Sequence, residues 1–323
     1  MAPSAWLQDC SGGVVRAHTV PRSGSLNQIA EDGHVLALSG DLSDLVRTGG
    51  RLLPKLVGVR QASTFHGFCS RHDSEIFAPL EDSIFLATPE QCFLLAYRAF
   101  SLEVYKKLAA LEVSEIMRLA DRGRPLADQL FVQDVASSYE AGTRAALRDA
   151  TLKEPEFERA LVSADYTSVR AYVLTFDIAP PVMASGGFAP ERDFDGRSLQ
   201  DMTDLNSVAD LMTVSSFFGG QWGHIVLAWL IQDDSACRRL VESLDSRADE
   251  DIASALVALL FEYCENLYMS PTWWDQFSAA EQGRLELQMR ASADPTCERA
   301  GGVLTDYPAR IPSWGLRSRQ WVS

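Results

Sequence analysis

The chain has 323 residues, of which 46% are hydrophobic and 23% charged, and its formal net charge is −15. These values are ordinary for a globular protein with a sizeable core, and the negative charge argues against a surface built for non-specific nucleic-acid binding. The longest apolar run, residues 253–261, is too short to span a bilayer, so we expect no membrane partner. The first residues lack a basic start and an apolar stretch, which predicts no secretory signal and a cytoplasmic protein with reduced cysteines.

The charge is distributed unevenly along the chain. Residues 1–72 carry seven basic and five acidic side chains, a net charge of +2, which leaves −17 for the remainder. If any part of the protein contacts a phosphate backbone, it is this first segment. The predicted nucleic-acid contacts are Arg16, Arg22 and Arg71.

The first 86 residues predict short elements separated by glycine-rich loops. The pattern indicates strands at residues 14–20 and 34–38 and a short helix at 25–32 that Ser25 would cap. The apolar and basic stretch before Ala62 shows no clear period and predicts no regular element.

The strongest helix signal follows this segment. Thr88-Pro89-Glu90-Gln91 is a capping box with proline at the first helical position, and the predicted helix runs to about Asp121. It is apolar on more than one face, which is typical of a central, buried helix. A second helix is predicted at residues 127–150, packed back against the first, and a shorter one after Pro155.

Strand patterns dominate the sequence after Tyr166. Residues 168–176 alternate as a strand does, and a Gly219-Gly220 turn predicts a hairpin from residues 208–218 and 223–230. Residues 184–204 predict a loop, and the last 30 residues predict irregular chain. Helices are predicted near residues 237–244, at 252–268 and after a cap at Ser278. The second of these helices has polar residues on one side of an otherwise apolar helix, namely Glu262, Glu265 and Asn266. This pattern predicts a hydrogen-bond network or a solvent-exposed stripe and not an acidic active site.

Metal-binding side chains are concentrated in residues 65–81, although the chain has only five histidines and six cysteines. The sequence of this stretch is F-H-G-F-C-S-R-H-D-S-E-I-F-A-P-L-E. Cys69-x-x-His72 has the spacing at which two side chains at a helix start can grip one ion. Cys10 and His18 could complete a tetrahedral set of nitrogen and sulfur ligands, as structural zinc prefers. The sequence therefore predicts a structural zinc site at Cys10, His18, Cys69 and His72.

Two parts of this region resemble the HNH (ββα-metal) endonuclease pattern. They are A-H-T-V-P at residues 17–21 and C-S-R-H-D at residues 69–73. The resemblance implies that His18 is a general base that activates water and that Asp73 binds a catalytic Mg²⁺ or Mn²⁺ ion. It places Cys69 and His72 where that family has a pair of zinc-binding cysteines. The family's acidic residue beside the first histidine is Ala17 here, and a histidine that binds zinc cannot also be the free base.

The longer run also resembles a family of uncharacterised bacterial proteins with an A-H-T … G-F-C-x-x-H-D N-terminal motif. The similarity extends to residues 265–274, E-N-L-Y-M-S-P-T-W-W. This resemblance suggests a role in bacterial defence or stress and implies no particular reaction.

The sequence as a whole predicts an α+β fold in three parts. These are a zinc-knuckle or HNH-like module (residues 1–86), a long helical hairpin (87–165) and a mostly antiparallel sheet with flanking helices (166–323). Two functions stay open. In the first, the zinc is structural and supports a body that binds a ligand, a protein partner or a second copy of the chain. In the second, the protein is an HNH-like nuclease that cuts DNA or RNA, with His18 as its base.

Overall fold

The computed structural model describes residues 10, 12–20, 22–39, 52–293 and 304–323, and within them helices and an antiparallel sheet confirm the α+β class. The strands are β1 (Ala17–His18), β2 (His34–Ser39), β3 (Leu53–Gly58), β4 (Thr64–Phe65), β5 (Val169–Phe176), β6 (Val182–Phe188), β7 (Met212–Gly219), β8 (Trp222–Leu230), β9 (Leu267–Met269) and β10 (Leu316–Val322). The helices are α1 (Asn27–Ile29), α2 (Ser70–Glu81), α3 (Pro89–Arg118), α4 (Leu126–Ser163), α5 (Asp234–Asp245), α6 (Ile252–Tyr263), α7 (Pro271–Asp275) and α8 (Ala279–Ala293). No helix in these described ranges is long and apolar enough to cross a membrane.

Eight strands form one sheet in the order β10–β5–β8–β7–β6–β9–β2–β3, and every neighbouring pair is antiparallel. The short strands β1 and β4 pair separately. Strands β2 and β3 come from the segment that the sequence predicts as an N-terminal module, yet they extend the sheet of the C-terminal segment. One sheet therefore spans the first and the last of the three predicted parts.

Helices cover both faces of the sheet, and β8 shows how. Ile225, Leu227 and Trp229 pack into the core cluster that α5 and α6 help to form, whereas Val226 and Ala228 pack into the cluster formed with α3 and α4. Successive residues of a strand point to opposite faces, so a strand buried on both sides must be apolar throughout. This three-layer arrangement explains the unbroken apolar run in β8.

Helix α3 is the central helix that the sequence predicts. Its cap is confirmed, because the backbone N–H of Gln91 donates to Thr88 Oγ1 at 3.2 Å. Residues 91–102 are all buried, and they include a cation, Arg98, which is only 1% exposed. Arg98 Nη2 lies 2.6 Å from Glu81 Oε1, and its guanidinium carbon lies 3.9 Å from the centre of the Phe77 ring. Both partners belong to α2, so the buried cation joins the two helices.

The helix after α3 is longer than the sequence predicts. Instead of a helix at residues 127–150 and a separate one after Pro155, α4 runs without a break from Leu126 to Ser163. A proline inside a helix removes one hydrogen bond and favours a kink. Burial of Lys153 and Phe157 on either side of Pro155 anchors both parts of α4 against the body.

Three strands lie where the sequence predicts loops or irregular chain, namely β3, β6 and β10. Strand β3 contains Pro54, which cannot donate to a ladder, but β3 is an edge strand that pairs only with β2. Strand β6 contains Gly186 and Gly187, which weaken the local strand signal. Strand β10 is the outermost strand at the opposite edge of the sheet. Strands β6 and β10 are held by pairing with strands distant in the chain, which no local pattern reveals, whereas β3 is held by the preceding strand β2.

The N-terminal elements differ in detail from the prediction. Of the strand predicted at residues 14–20, only β1 forms, together with an isolated bridge between Val14 and Cys69. Ser25 is no helix cap, because it lies inside a short π-helical turn, Arg22–Leu26, and its Oγ accepts a hydrogen bond from the backbone N–H of Phe218 at 3.0 Å. The hydroxyl therefore links this turn to β7.

The C-terminal elements are mostly where they are expected. Strand β5, the β7–β8 hairpin and α5 are confirmed, and Ser278 caps α8 by accepting from the N–H of Glu281 at 3.3 Å. The helix predicted at residues 252–268 ends at Tyr263, because residues 267–269 form β9 between β6 and β2.

A hydrogen-bond network starts from the turn between α6 and β9. There, Asn266 Nδ2 lies 2.9 Å from Thr19 Oγ1 and 3.1 Å from Ser63 Oγ. This network ties the N-terminal segment to the body.

His224 is a buried titratable group on β8, where the sequence predicts a strand. It is 5% exposed, and its ring lies 4.8 Å from the ring of Phe85 and 5.2 Å from that of Phe217. Burial lowers the pKa of His224 from 6.5 to about 4. The folded protein therefore keeps this imidazole neutral at pH values at which the unfolded chain protonates it.

We predict that the contribution of His224 to the free energy of unfolding falls as the pH drops from about 6.5 to about 4, because only the unfolded chain gains the His224 proton in this window. The difference between the two pKa values corresponds to about 3 kcal/mol. Urea unfolding across this pH range should give a flatter curve for His224→Asn, whereas His34→Asn, at an exposed position, should keep the wild-type slope. Equal slopes for wild type and His224→Asn would contradict the assignment.

Candidate metal centre

Cys69 and His72 meet at the start of α2. Cys69 is the N-cap residue, with extended backbone, and His72 lies in the first turn of the helix. The two side chains are buried, and Cys69 Sγ lies 3.4 Å from His72 Nδ1. The predicted Cys-x-x-His pair is therefore brought together by the geometry of the helix start.

Cys10 comes to the same place from the N-terminal segment. The isolated bridge between Val14 and Cys69 holds this segment beside the start of α2, and the N–H of Val15 donates to the carbonyl of Phe68 at 2.9 Å. As a result, ligand atoms of Cys10, Cys69 and His72 all lie within 4.8 Å of one another. Cys10 is exposed, so an ion could reach the group from solvent.

Two sulfurs and one imidazole nitrogen are a donor set that suits zinc. Zn–S and Zn–N bonds of about 2.3 and 2.0 Å in a tetrahedron place neighbouring donors about 3.5–3.8 Å apart. The separation of 3.4 Å between Cys69 Sγ and His72 Nδ1 fits this arrangement closely. The positive end of the α2 dipole also favours a thiolate at the N-cap.

The other predicted site residues lie outside this group. His18 is half-buried on β1, where it pairs with Thr64 of β4, and it is not a member of the three-residue group. Asp73 follows His72 on α2 and is also half-buried. Burial raises the pKa of Asp73, Arg98 opposes that rise, and Glu81 adds to it. Three of the four predicted ligands thus come together, and the described residues place neither His18 nor Asp73 with them.

The predicted nucleic-acid contacts come from three separate stretches of the N-terminal segment. Arg16 is exposed next to β1, and Arg71 is exposed on α2 with its Nε 2.9 Å from Glu75 Oε1. A phosphate bound at Arg71 would have to compete with this carboxylate. Arg22 begins the π-helical turn, and its side chain lies outside the described residues. Nucleic-acid binding through these arginines stays a prediction.

A second group of charged side chains lies around a cleft, and of its members the sequence singles out only Glu262 and Glu265. The cleft is lined by Lys106 and Lys107 of α3 and by Glu262 and Glu265 from the end of α6 and the turn after it. Lys106 Nζ lies 2.7 Å from Glu265 Oε2. On α3 the local signal in the sequence is the i,i+4 pair Glu103–Lys107, whose atoms Oε1 and Nζ are 3.0 Å apart.

Comparisons of the chain with protein-family models, with curated proteins and with solved structures found no match. The resemblances to HNH endonucleases and to a bacterial family stay predictions.

We predict that the purified protein carries about one zinc ion and that Cys10→Ser and His72→Ala each lose it, because each removes one ligand of the group. His66→Ala is the matched control. His66 is exposed, lies only three residues before Cys69 and is no member of the group, so this variant should keep its zinc. Metal analysis by plasma mass spectrometry measures the content. Zinc retained by both ligand variants would exclude this group as the binding site.

Proposed function

We propose that the protein binds zinc at Cys10, Cys69 and His72, that this zinc is structural, and that it supports an α+β body which binds a ligand. The observation that carries the proposal is the convergence of three zinc-type ligands where the N-terminal segment meets α2. A zinc ion there would cross-link Cys10 to a helix that begins 60 residues later. The cytoplasmic location and the role in defence or stress stay predictions.

The surroundings of the group favour a structural role. Cys69 and His72 are buried, and the ring of Phe68, the residue before Cys69, packs edge to face on that of Phe77 in α2 with centroids 5.3 Å apart. Residues around a structural metal typically form such a packed shell, and metal binding then adds directly to folding free energy. Phe77 in turn contacts the buried Arg98 of α3. The proposed zinc would therefore secure the N-terminal segment to the central helix through α2.

The structural role is tested by limited proteolysis with and without EDTA. In the zinc-loaded protein, backbone hydrogen bonds of Val15 and Thr19 hold the chain on either side of the exposed Arg16. We predict that chelation speeds trypsin cleavage after Arg16 about tenfold or more, because the cross-link is lost. His66→Ala should behave as wild type does, whereas Cys10→Ser should be cut rapidly with or without EDTA. Equal cleavage of wild type with and without chelator would contradict a structural role.

An HNH-like metal-dependent nuclease is a second candidate, and one observation favours it. Because His18 is not a member of the Cys10, Cys69 and His72 group, zinc binding there would not use the imidazole to which the HNH resemblance gives the role of general base. The proposed second ion, Mg²⁺ or Mn²⁺, would bind Asp73, a carboxylate of the kind that hard cations prefer. Within the described part of the chain, however, no other group of three metal-binding side chains accompanies Asp73.

If the protein is a nuclease, we predict that the wild type cuts DNA or RNA when Mg²⁺ or Mn²⁺ is added. His18→Ala should keep its zinc but cut at least about a hundredfold more slowly, because the general base is lost. Gel assays with single- and double-stranded substrates measure cutting, and His66→Ala serves as the control. A wild-type protein that cuts none of these substrates excludes the second candidate and leaves the structural zinc untouched.

A further inference from the structure

A cleft of about 510 Å³ opens between the α3–α4 pair, the loop at residues 189–211 and the end of α6. Its volume lies in the range of small-molecule sites. On the α4 side it is lined by Gly142, Ala145 and Ala146, which share one helix face because of their spacing. Since these side chains are small, the space between α4 and the sheet stays open. None of the residues of the metal group lines this cleft.

An aromatic pair forms part of the lining. The rings of Phe188, at the end of β6, and Tyr263, at the end of α6, are stacked with centroids 4.4 Å apart and planes 16° from parallel. The hydroxyl of Tyr263 accepts a hydrogen bond from the N–H of Glu191 at 3.3 Å, which fixes the ring against the loop. Aromatic faces bind apolar groups, and they also attract cations.

The charges around the cleft are mostly negative. Lys106 and Lys107 are the two basic residues of the described lining, and each is paired with a carboxylate, Glu265 and Glu103 respectively. Five more acidic residues line the cleft, and among them Asp149 pairs with Arg148, which is outside the described lining. They are Asp149, Glu191, Asp201, Asp204 and Glu262. A net negative field in a concave site favours a positively charged ligand.

We propose that this cleft binds a small organic cation, an amine with an apolar body. The apolar body would lie against Phe188 and Tyr263, and the ammonium would face Glu262, a carboxylate that lines the cleft and is only 6% exposed. A bare metal ion fits less well, because the one described group of three metal-binding side chains lies elsewhere and the cleft is far larger than an ion. This inference rests on the ligand-binding half of the proposed function and gives that ligand a chemical class.

The structure offers a substitution that fills the cleft without disturbing the core. A Cβ atom placed on Gly142 meets no atom within 4 Å, and Gly142 lies inside α4, where every other residue except proline has a higher helix propensity. Gly142→Phe should therefore fold and place its ring in the cleft. Gly283→Phe is the matched control, because Gly283 also lies in a helix, α8, has equally open surroundings and does not line the cleft.

Three probes of nearly equal size and shape test the charge preference, namely benzylamine, benzyl alcohol and benzoate. Saturation-transfer NMR titrations should show benzylamine binding at least about tenfold more tightly than the other two, as a charge-assisted contact requires. Gly142→Phe should weaken benzylamine binding by about tenfold or more, and Gly283→Phe should leave it unchanged. Glu262→Gln should bring the affinity for benzylamine down to that for benzyl alcohol.

Several results would overturn the inference. They are equal binding of the three probes, stronger binding of benzoate, benzylamine binding that survives Gly142→Phe, and no binding of benzylamine at all. Zinc content and thermal unfolding are measured on the same samples. A zinc-loaded, folded protein that fails to bind the amine overturns the cleft assignment alone, whereas a zinc-free protein that binds the amine overturns the structural zinc alone.

Discussion

The burial of residues 91–102 of α3 is the constraint on which the rest of the structure depends. A helix that is buried all round needs neighbours on every side, and here the sheet, α4 and α2 supply them. Arg98 makes the contact with α2 specific, because a buried cation is stable only when it is paired, and its partners Glu81 and Phe77 both lie on that helix. Since α2 begins directly after Cys69, this packing also positions Cys69 and His72.

One helix thereby supports both candidate sites. The buried first half of α3 holds α2 and the metal group, whereas Phe100, Lys106 and Lys107 further along line the cleft. The two candidate sites suit different ligands for physical reasons. The metal group presents two sulfurs and an imidazole close together, as zinc requires, while the cleft combines aromatic rings with excess negative charge over a much larger volume.

The parts of this structure that the sequence predicts are those with local causes. The cap at Thr88, the hairpin at β7–β8 and the Cys69–His72 pair each depend on residues within a few positions of one another. Strands β6 and β10 form because strands distant in the chain pair with them, whereas β3 pairs with the preceding strand β2 and contains Pro54. The pairing of His18 in β1 and the ion pair between Lys106 and Glu265 also depend on residues far away in the chain, so the sequence could not place either of them.

The central claim is that Cys10, Cys69 and His72 hold one zinc ion, and zinc K-edge X-ray absorption on the purified protein tests it most directly. We predict two sulfur ligands at about 2.3 Å and nitrogen or oxygen ligands at about 2.0 Å. When excess zinc is added back to Cys10→Ser, which loses its zinc on purification, the sulfur count should be one instead of two. A spectrum of the wild-type protein with only oxygen and nitrogen ligands, or one that Cys10→Ser leaves unchanged, would contradict the account.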